Sequence, residues 1–247
     1  MATTVIAADV ASARRVVQSA GNGEKHWRTD YLGERARASS APEAFLIEMS
    51  AGETLLPHFH AVDQFQVFVE GSGTLGRAPT GPVTVHYADR YTAYGPIVAS
   101  DAGLSYFTFR PAGDPGAVYR NFPDYRERLK PSLRRHSTSA AVHLCTEPVL
   151  ASRSGVQVDA LLRDERYDDG VAAAIIRMAP STRILATPPG STGGQYFLVL
   201  NGAIAMGGKA CGRWSIVHLA REDAALELCA MEGGAEVLQL AFGTSPA

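Results

Sequence analysis

The chain has 247 residues, 46% of them apolar and 19% charged, with a formal net charge of −2. That length can bury one large core or two of ordinary size, and the near balance of charge removes any bulk electrostatic case for nucleic acid or an anionic membrane surface. Asp9, Arg14 and Arg15 interrupt the N-terminal residues, which read as neither signal peptide nor anchor; Cys145, Cys211 and Cys229 lack CxxC spacing and read as buried thiols of a cytoplasmic protein.

Residues 1–40 carry little periodicity beyond a short amphipathic stretch at 11–18, which predicts one helix. They read as an arm, with His26 and Trp27 packing on the outside of a sheet. Strand signals then recur at 45–49, 64–69, 83–87, 90–93 and 104–109, separated by glycine and proline clusters. Many short strands without a long helix predict an all-β barrel or sandwich over 41–111. Pro115, Pro123 and Pro131 and a basic excess over 126–135 make 112–140 a solvated linker with one helical turn at 124–129. No stacking aromatics interleave that basic run as a single-strand binder requires. Residues 141–247 predict a second barrel.

Within 52–71, GETLLPHFHAVDQFQVFVEG, His58 and His60 lie two apart and Gln64 shares their parity. On an extended strand all three project from one face, and two imidazoles with an amide oxygen can hold a divalent metal. Gln66 and Phe68 continue the same parity and are expected to line the same cavity. The pattern repeats later in the chain: GGQYFLVLNG (193–202) aligns with VDQFQVFVEG (62–71) at an offset of 131, and IVHLA (216–220) with TVHYA (84–88) at 132. Asn201-Gly202 reads as a hairpin signal, with Glu70-Gly71 in the corresponding place. The first offset puts Pro189 opposite His58 and Ser191 opposite His60. The second copy therefore lacks the imidazoles and reads as metal-free. Gln195 persists without them, which gives Gln64 a structural reading beside the ligand one; His86, matched to His218, reads as a strand histidine with a local partner.

The glycine, HxH, glutamine and closing glycine of 52–71, duplicated once, resemble the first motif of the cupin superfamily, with Gln64 where that family usually has glutamate. Two copies joined by a linker resemble a bicupin, two tandem cupin-like (double-stranded β-helix or jelly-roll) barrels. The resemblance implies a divalent metal at His58, His60 and Gln64, iron(II) first and zinc, manganese or nickel as alternatives. It also implies a small-molecule substrate, and dioxygenase or Lewis-acid isomerase or lyase chemistry in the first barrel. The histidine of the second cupin motif should fall near Ala99, where none stands; Tyr94 is the nearest substitute, as proton donor or as a core residue with its hydroxyl at the edge, ahead of Tyr91 and Tyr106. The rival reading is a non-catalytic cupin, a small-molecule binding or dimerisation module. The resemblance further implies pairing of barrels through exposed strand edges, within the chain or as a homodimer. No helix-turn-helix pattern supports a regulator, and no partner among nucleic acids or membranes is expected.

Overall fold

The structure, a computed structural model, describes residues 3–19, 23–163 and 166–244. Two compact units divide the chain: Ser12–His143 forms one, and Leu144–Ala247 with Met1–Ala11 the other. Both are antiparallel β barrels of the double-stranded β-helix type, and the chain is all-β. In the N-terminal barrel the main sheet runs His136–Thr138, Thr84–Ala88, Gln64–Leu75, Ile97–Arg110, Glu43–Met49, Lys25–Leu32 and Arg15–Ser19. His58–Phe59 and Val118–Tyr119 form a separate two-stranded ribbon. The C-terminal barrel repeats the central order with Ile216–Leu219, Gln195–Met206, Glu227–Ala241, Ala172–Met178 and Val156–Arg163.

The long strands Gln64–Leu75 and Gln195–Met206 begin as six buried residues each, because both faces are covered. Neither Glu70-Gly71 nor Asn201-Gly202 is a hairpin. Each strand runs on through its glycine, and the pairing register shifts beside it. A β carbon on Gly71 would lie 2.1 Å from Gly103 O, and one on Gly202 would lie 2.1 Å from Gly234 O, with φ of +71° and +65°. Only glycine permits that approach at positive φ, so this shared residue belongs to the fold.

Other expectations change. The predicted helix at 11–18 is a helix at Ala8–Ser12 followed by the strand Arg15–Ser19. No strand forms at 90–93, where Thr92 N–H bonds Asp89 O in a turn and Tyr91 adopts φ +58°. Residues 1–40 are not a free arm, since Lys25–Leu32 pairs with Glu43–Met49 along its length. Residues 112–140 carry the strands Val118–Tyr119 and His136–Thr138 as well as the helical turn Tyr125–Arg128, so the stretch read as a linker is part of the barrel. His26 is buried and Trp27 is exposed, which places only the tryptophan outside the sheet. The cysteines are free thiols, Cys211 buried and the other two half-buried. Among the described residues no helix is long and apolar enough to cross a membrane.

Candidate functional site

His58 and His60 sit on and just after the short strand His58–Phe59, whose partner strand carries Tyr119 opposite His58. Two-residue spacing puts both rings on one wall, 5.2 Å apart and nearly perpendicular. Each ring is fixed from outside. His58 Nδ1–H donates to Leu56 O at 2.7 Å, and His60 Nδ1–H donates to Asp114 Oδ1 at 2.8 Å. Both Nε2 atoms are thereby left as acceptors on the cavity side. Burial, then the neighbouring His60 and Arg110, bring the His58 pKa down to about 3. Burial and Arg110 also lower that of His60 against the pull of Asp114, so both rings are neutral near pH 7 and the His60–Asp114 contact is a hydrogen bond to a carboxylate rather than an ion pair.

Gln64, fully buried at the start of its strand, is oriented at both ends of its amide. Its Nε2 donates to the Tyr94 hydroxyl and its Oε1 accepts from Arg110 Nε and Nη2, each at 3.2 Å. The Tyr94 hydroxyl in turn donates to His58 Nε2 at 3.0 Å. Burial holds the Tyr94 pKa well above the usual phenol range, more than Arg110 and Gln64 lower it, so this hydroxyl keeps its proton. His58, His60, Gln64 and Tyr94 thus meet at one cavity of about 100 Å³, and Gln66 lines it too. Phe68 does not. It is sealed in the apolar cluster with Leu55, Ile97, Leu104 and Tyr106, one layer deeper than the polar wall.

Sequence reasoning missed the charged residues. Arg110, at the end of Ile97–Arg110, is 4% exposed; its Nη1 pairs with Glu43 Oε2 at 2.7 Å, and its Nη2 lies 3.1 and 3.2 Å from the two ring nitrogens of His60. Glu43 also receives Arg28 Nη2 at 2.8 Å, so one buried carboxylate bridges two guanidinium groups. Asp114 accepts from Ala61 N–H and Gly116 N–H besides His60. Burial raises its pKa, but His60, Arg110 and the Gly116 amide outweigh it and hold it at about 2. His26, paired with Glu53 at 3.2 Å, lines the same cavity.

The strand ladder separates His86 from His218, against the alignment of TVHYA with IVHLA. Gln64 faces Ala88 and Gln66 faces His86, whereas Gln195 faces Leu219 and Phe197 faces Val217. At the common offset of 131, Val217 therefore stands where His86 stands, and His218 corresponds to Tyr87. One residue of slip reverses the face of a strand. His86 is thus peculiar to the first barrel: it is fully buried, its Nδ1–H donates to Gln66 Oε1 at 3.0 Å, and its Nε2 has no protein partner. In the C-terminal barrel Pro189 and Ser191 form a 3₁₀ turn, and Gln195 Nε2 donates to Thr187 O. Among the described residues no three His, Cys, Asp or Glu side chains converge as a metal cluster; in the first barrel the third candidate donor is the amide of Gln64.

No protein-family model matches the chain, and no curated protein matches it by sequence. Solved structures do match. A protein from Nostoc punctiforme, provisionally assigned as a dioxygenase, superposes with a TM-score of 0.63 at 10% identity over 99% of this chain and 84% of its own. Bacillus subtilis oxalate decarboxylase, a protein with Mn(II) centres, gives 0.59 at 10% over 99% and 78%. Salicylate 1,2-dioxygenase from Pseudoaminobacter salicylatoxidans, in adducts with gentisate, gives 0.58 at 13% over 97% and 81%. The fold is that of a two-barrel cupin. At such identities the likeness speaks for the bicupin fold alone, and the chemistry has to be argued from this chain's own side chains.

Proposed function

We propose that the N-terminal barrel of this bicupin is an enzyme site for a small oxygenated molecule, with a divalent ion held by His58, His60 and Gln64 and with Tyr94 as proton donor. One observation carries the reading: two buried, neutral imidazoles are tied at Nδ1 to a carbonyl and a carboxylate, so that both Nε2 atoms are acceptors turned to the cavity, where Tyr94 meets that of His58 and Arg110 that of His60. Metal-binding histidines need that tautomer and that outer support. With the amide oxygen of Gln64 the donor set fits a divalent transition ion, iron(II) first and zinc, manganese or nickel as alternatives. Bound there, it would supply Lewis acidity for isomerase or lyase chemistry or, as iron(II), redox chemistry for a dioxygenase. The dioxygenases and the decarboxylase among the similar folds support this class of activity.

The chain's own residues divide the remaining work. Tyr94 holds a proton at its hydroxyl beside His58, where it can be given to a developing anion. Arg110 sets a buried positive charge against the site and favours an anionic oxygen of the substrate. Gln66, anchored by His86, limits the space beside Gln64. Protein purified without chelator should carry close to one divalent ion per chain by elemental analysis, and His58→Ala and His60→Ala should lose it. Negligible metal in the wild type after reconstitution with iron(II) would sink the proposal.

Arg110 also favours a second reading, a metal-free module that binds a small molecule or pairs barrels, including as a homodimer. Its guanidinium already faces Gln64 and His60. Two unit charges about 4 Å apart cost about 4 kcal/mol at the effective dielectric of a protein, and a divalent ion doubles that. Arg110→Gln separates the readings: metal content or affinity should rise under the first, while under the second the variant stays metal-free and loses anion binding.

A further inference from the structure

The inner cavity, at about 100 Å³, falls below the several hundred Å³ of a site that encloses a whole small-molecule ligand. It has room for a reacting group and little more. A second hollow of about 510 Å³ shares one lining residue with it, Tyr94. Pro57 with Ala93, Tyr94 and Gly95 supplies one wall of this outer hollow. The other comes from residues 120–129, the stretch that the sequence alone presents as a solvated basic connector.

That wall is built. Arg120 N–H bonds Pro57 O at 2.9 Å, Phe122 N–H bonds Tyr119 O at 3.0 Å and Tyr125 N–H bonds Phe122 O at 3.1 Å. The aromatic rings are continuous with the site: Tyr125 packs on Phe59 at 5.2 Å, Phe122 on Tyr119 at 5.4 Å, and Tyr119 on His58 at 5.3 Å. Arg120 and Arg126 line the hollow and are exposed, and among the described residues neither has a carboxylate partner. Nearby guanidinium groups outside the hollow are neutralised, Arg128 by Asp124 at 2.6 Å and Arg135 by Asp89 at 3.3 Å. Two free guanidinium groups beside half-buried aromatic rings form a site for a planar molecule carrying an anionic group.

We propose that the outer hollow binds the carboxylate-bearing aromatic end of the substrate, with the carboxylate on Arg120 and Arg126 and the ring against Phe122, Tyr125 and Tyr94. Tyr94, shared by both hollows, then stands between the bound ring and the inner cavity. This rests on the N-terminal barrel being the small-molecule site, and it holds whether or not that site carries a metal. The test uses the full-length chain and two probes of one shape, benzoate and benzamide, titrated by NMR chemical shift. Wild type should prefer benzoate roughly tenfold, and the preference should shrink as salt rises. Arg120→Gln/Arg126→Gln should bring the two probes within about twofold of each other while metal content and Tm stay unchanged. Tyr125→Ala should weaken both probes alike and leave the preference in place. Equal binding of the two probes to wild type, no binding of either, or a preference that survives in the double arginine variant would overturn the proposal. Loss of metal from His58→Ala with the benzoate preference intact supports the outer site separately from the metal reading.

Discussion

The two barrels share a register and differ in what fills it. Phe65 pairs with Phe109 as Tyr196 pairs with Leu240, so Arg110 and Ala241 occupy one position of the fold. Their partners on the next strand are Glu43 and Ala172. Likewise His86 and Gln66 stand where the second barrel has Val217 and Phe197. The C-terminal interior is a closed apolar cluster of Ile176, Met178, Phe197, Val199, Val237 and their neighbours. The N-terminal interior gives that volume to imidazoles, amides and a Glu43-centred ion triad. One barrel is therefore built for cohesion, and the other accepts buried polar groups, each of which needs a partner to be tolerable.

The strongest way to break the comparison is to remove the anion that holds the polar interior together. Glu43→Ala leaves Arg28 and Arg110 buried side by side without their shared carboxylate, and should cost about 3–5 kcal/mol in urea unfolding of the N-terminal barrel. Replacing all three by apolar residues of similar volume should recover most of that loss. A cost below about 1 kcal/mol for Glu43→Ala would show that the triad is not what stabilises this interior.

Acid should separate the barrels next. Burial, then Arg28, brings His26 down to about 4, and burial, then His136 and His58, brings His86 down to about 3. These values lie below the ordinary 6.5, so the unfolded chain takes up protons first as pH falls. Their stabilisation is complete above about pH 6.5 and is lost towards pH 4 and 3. Asp114, held at about 2, adds a loss in the same direction below about pH 4. The C-terminal barrel has one such group, His218, brought to about 4 by burial against the opposing effect of Asp223 and Glu222. The difference should reach the order of several kcal/mol at pH 4. Trp27 reports on one barrel and Trp214 on the other, so fluorescence of Trp214→Phe and Trp27→Phe chains reads each unfolding separately. Coincident midpoints at pH 7 and pH 4 would erase the distinction.

A smaller effect tests the support of the site rather than its stability. Asp114→Asn keeps the shape but weakens the acceptor of His60 Nδ1–H, and should lower metal affinity roughly 10- to 100-fold. Unchanged affinity, measured by competition with a chelator, would remove Asp114 from the site.

How much of this was legible follows from physical range. His58, His60 and Gln64 announce themselves because strand parity acts over two to six residues, and the repeat shows which of them are special. Arg110 and Asp114 come from 50 and 54 residues beyond His60, through pairing that no local pattern encodes. Lys25–Leu32 escaped because its inward residues include His26 and Arg28, so its alternation runs opposite to the apolar signal. Phe68 has the right parity and the wrong depth, a property of the closed barrel alone. The tempting match of His86 to His218 failed because a bulge-free offset of 131 governs the ladder, while the histidines themselves are 132 apart.

That slip defines the finest test. Gln66 and His86 bond each other where the second barrel packs Phe197 on Val217, so the pair can be exchanged for apolar residues together or one at a time. Gln66→Leu alone leaves His86 Nδ1–H without its acceptor, and His86→Val alone leaves Gln66 Oε1 without its donor; each should cost about 1–3 kcal/mol. The double variant removes both polar groups, along with the partnerless Nε2 of His86, and should return to within about 1 kcal/mol of wild type. A double-mutant cycle by urea unfolding reads the coupling directly. Strict additivity would mean that His86 and Gln66 are not a unit. A neutral double variant with weakened benzoate or metal binding would mean that the first barrel keeps this pair for its cavity, since its fold can do without it.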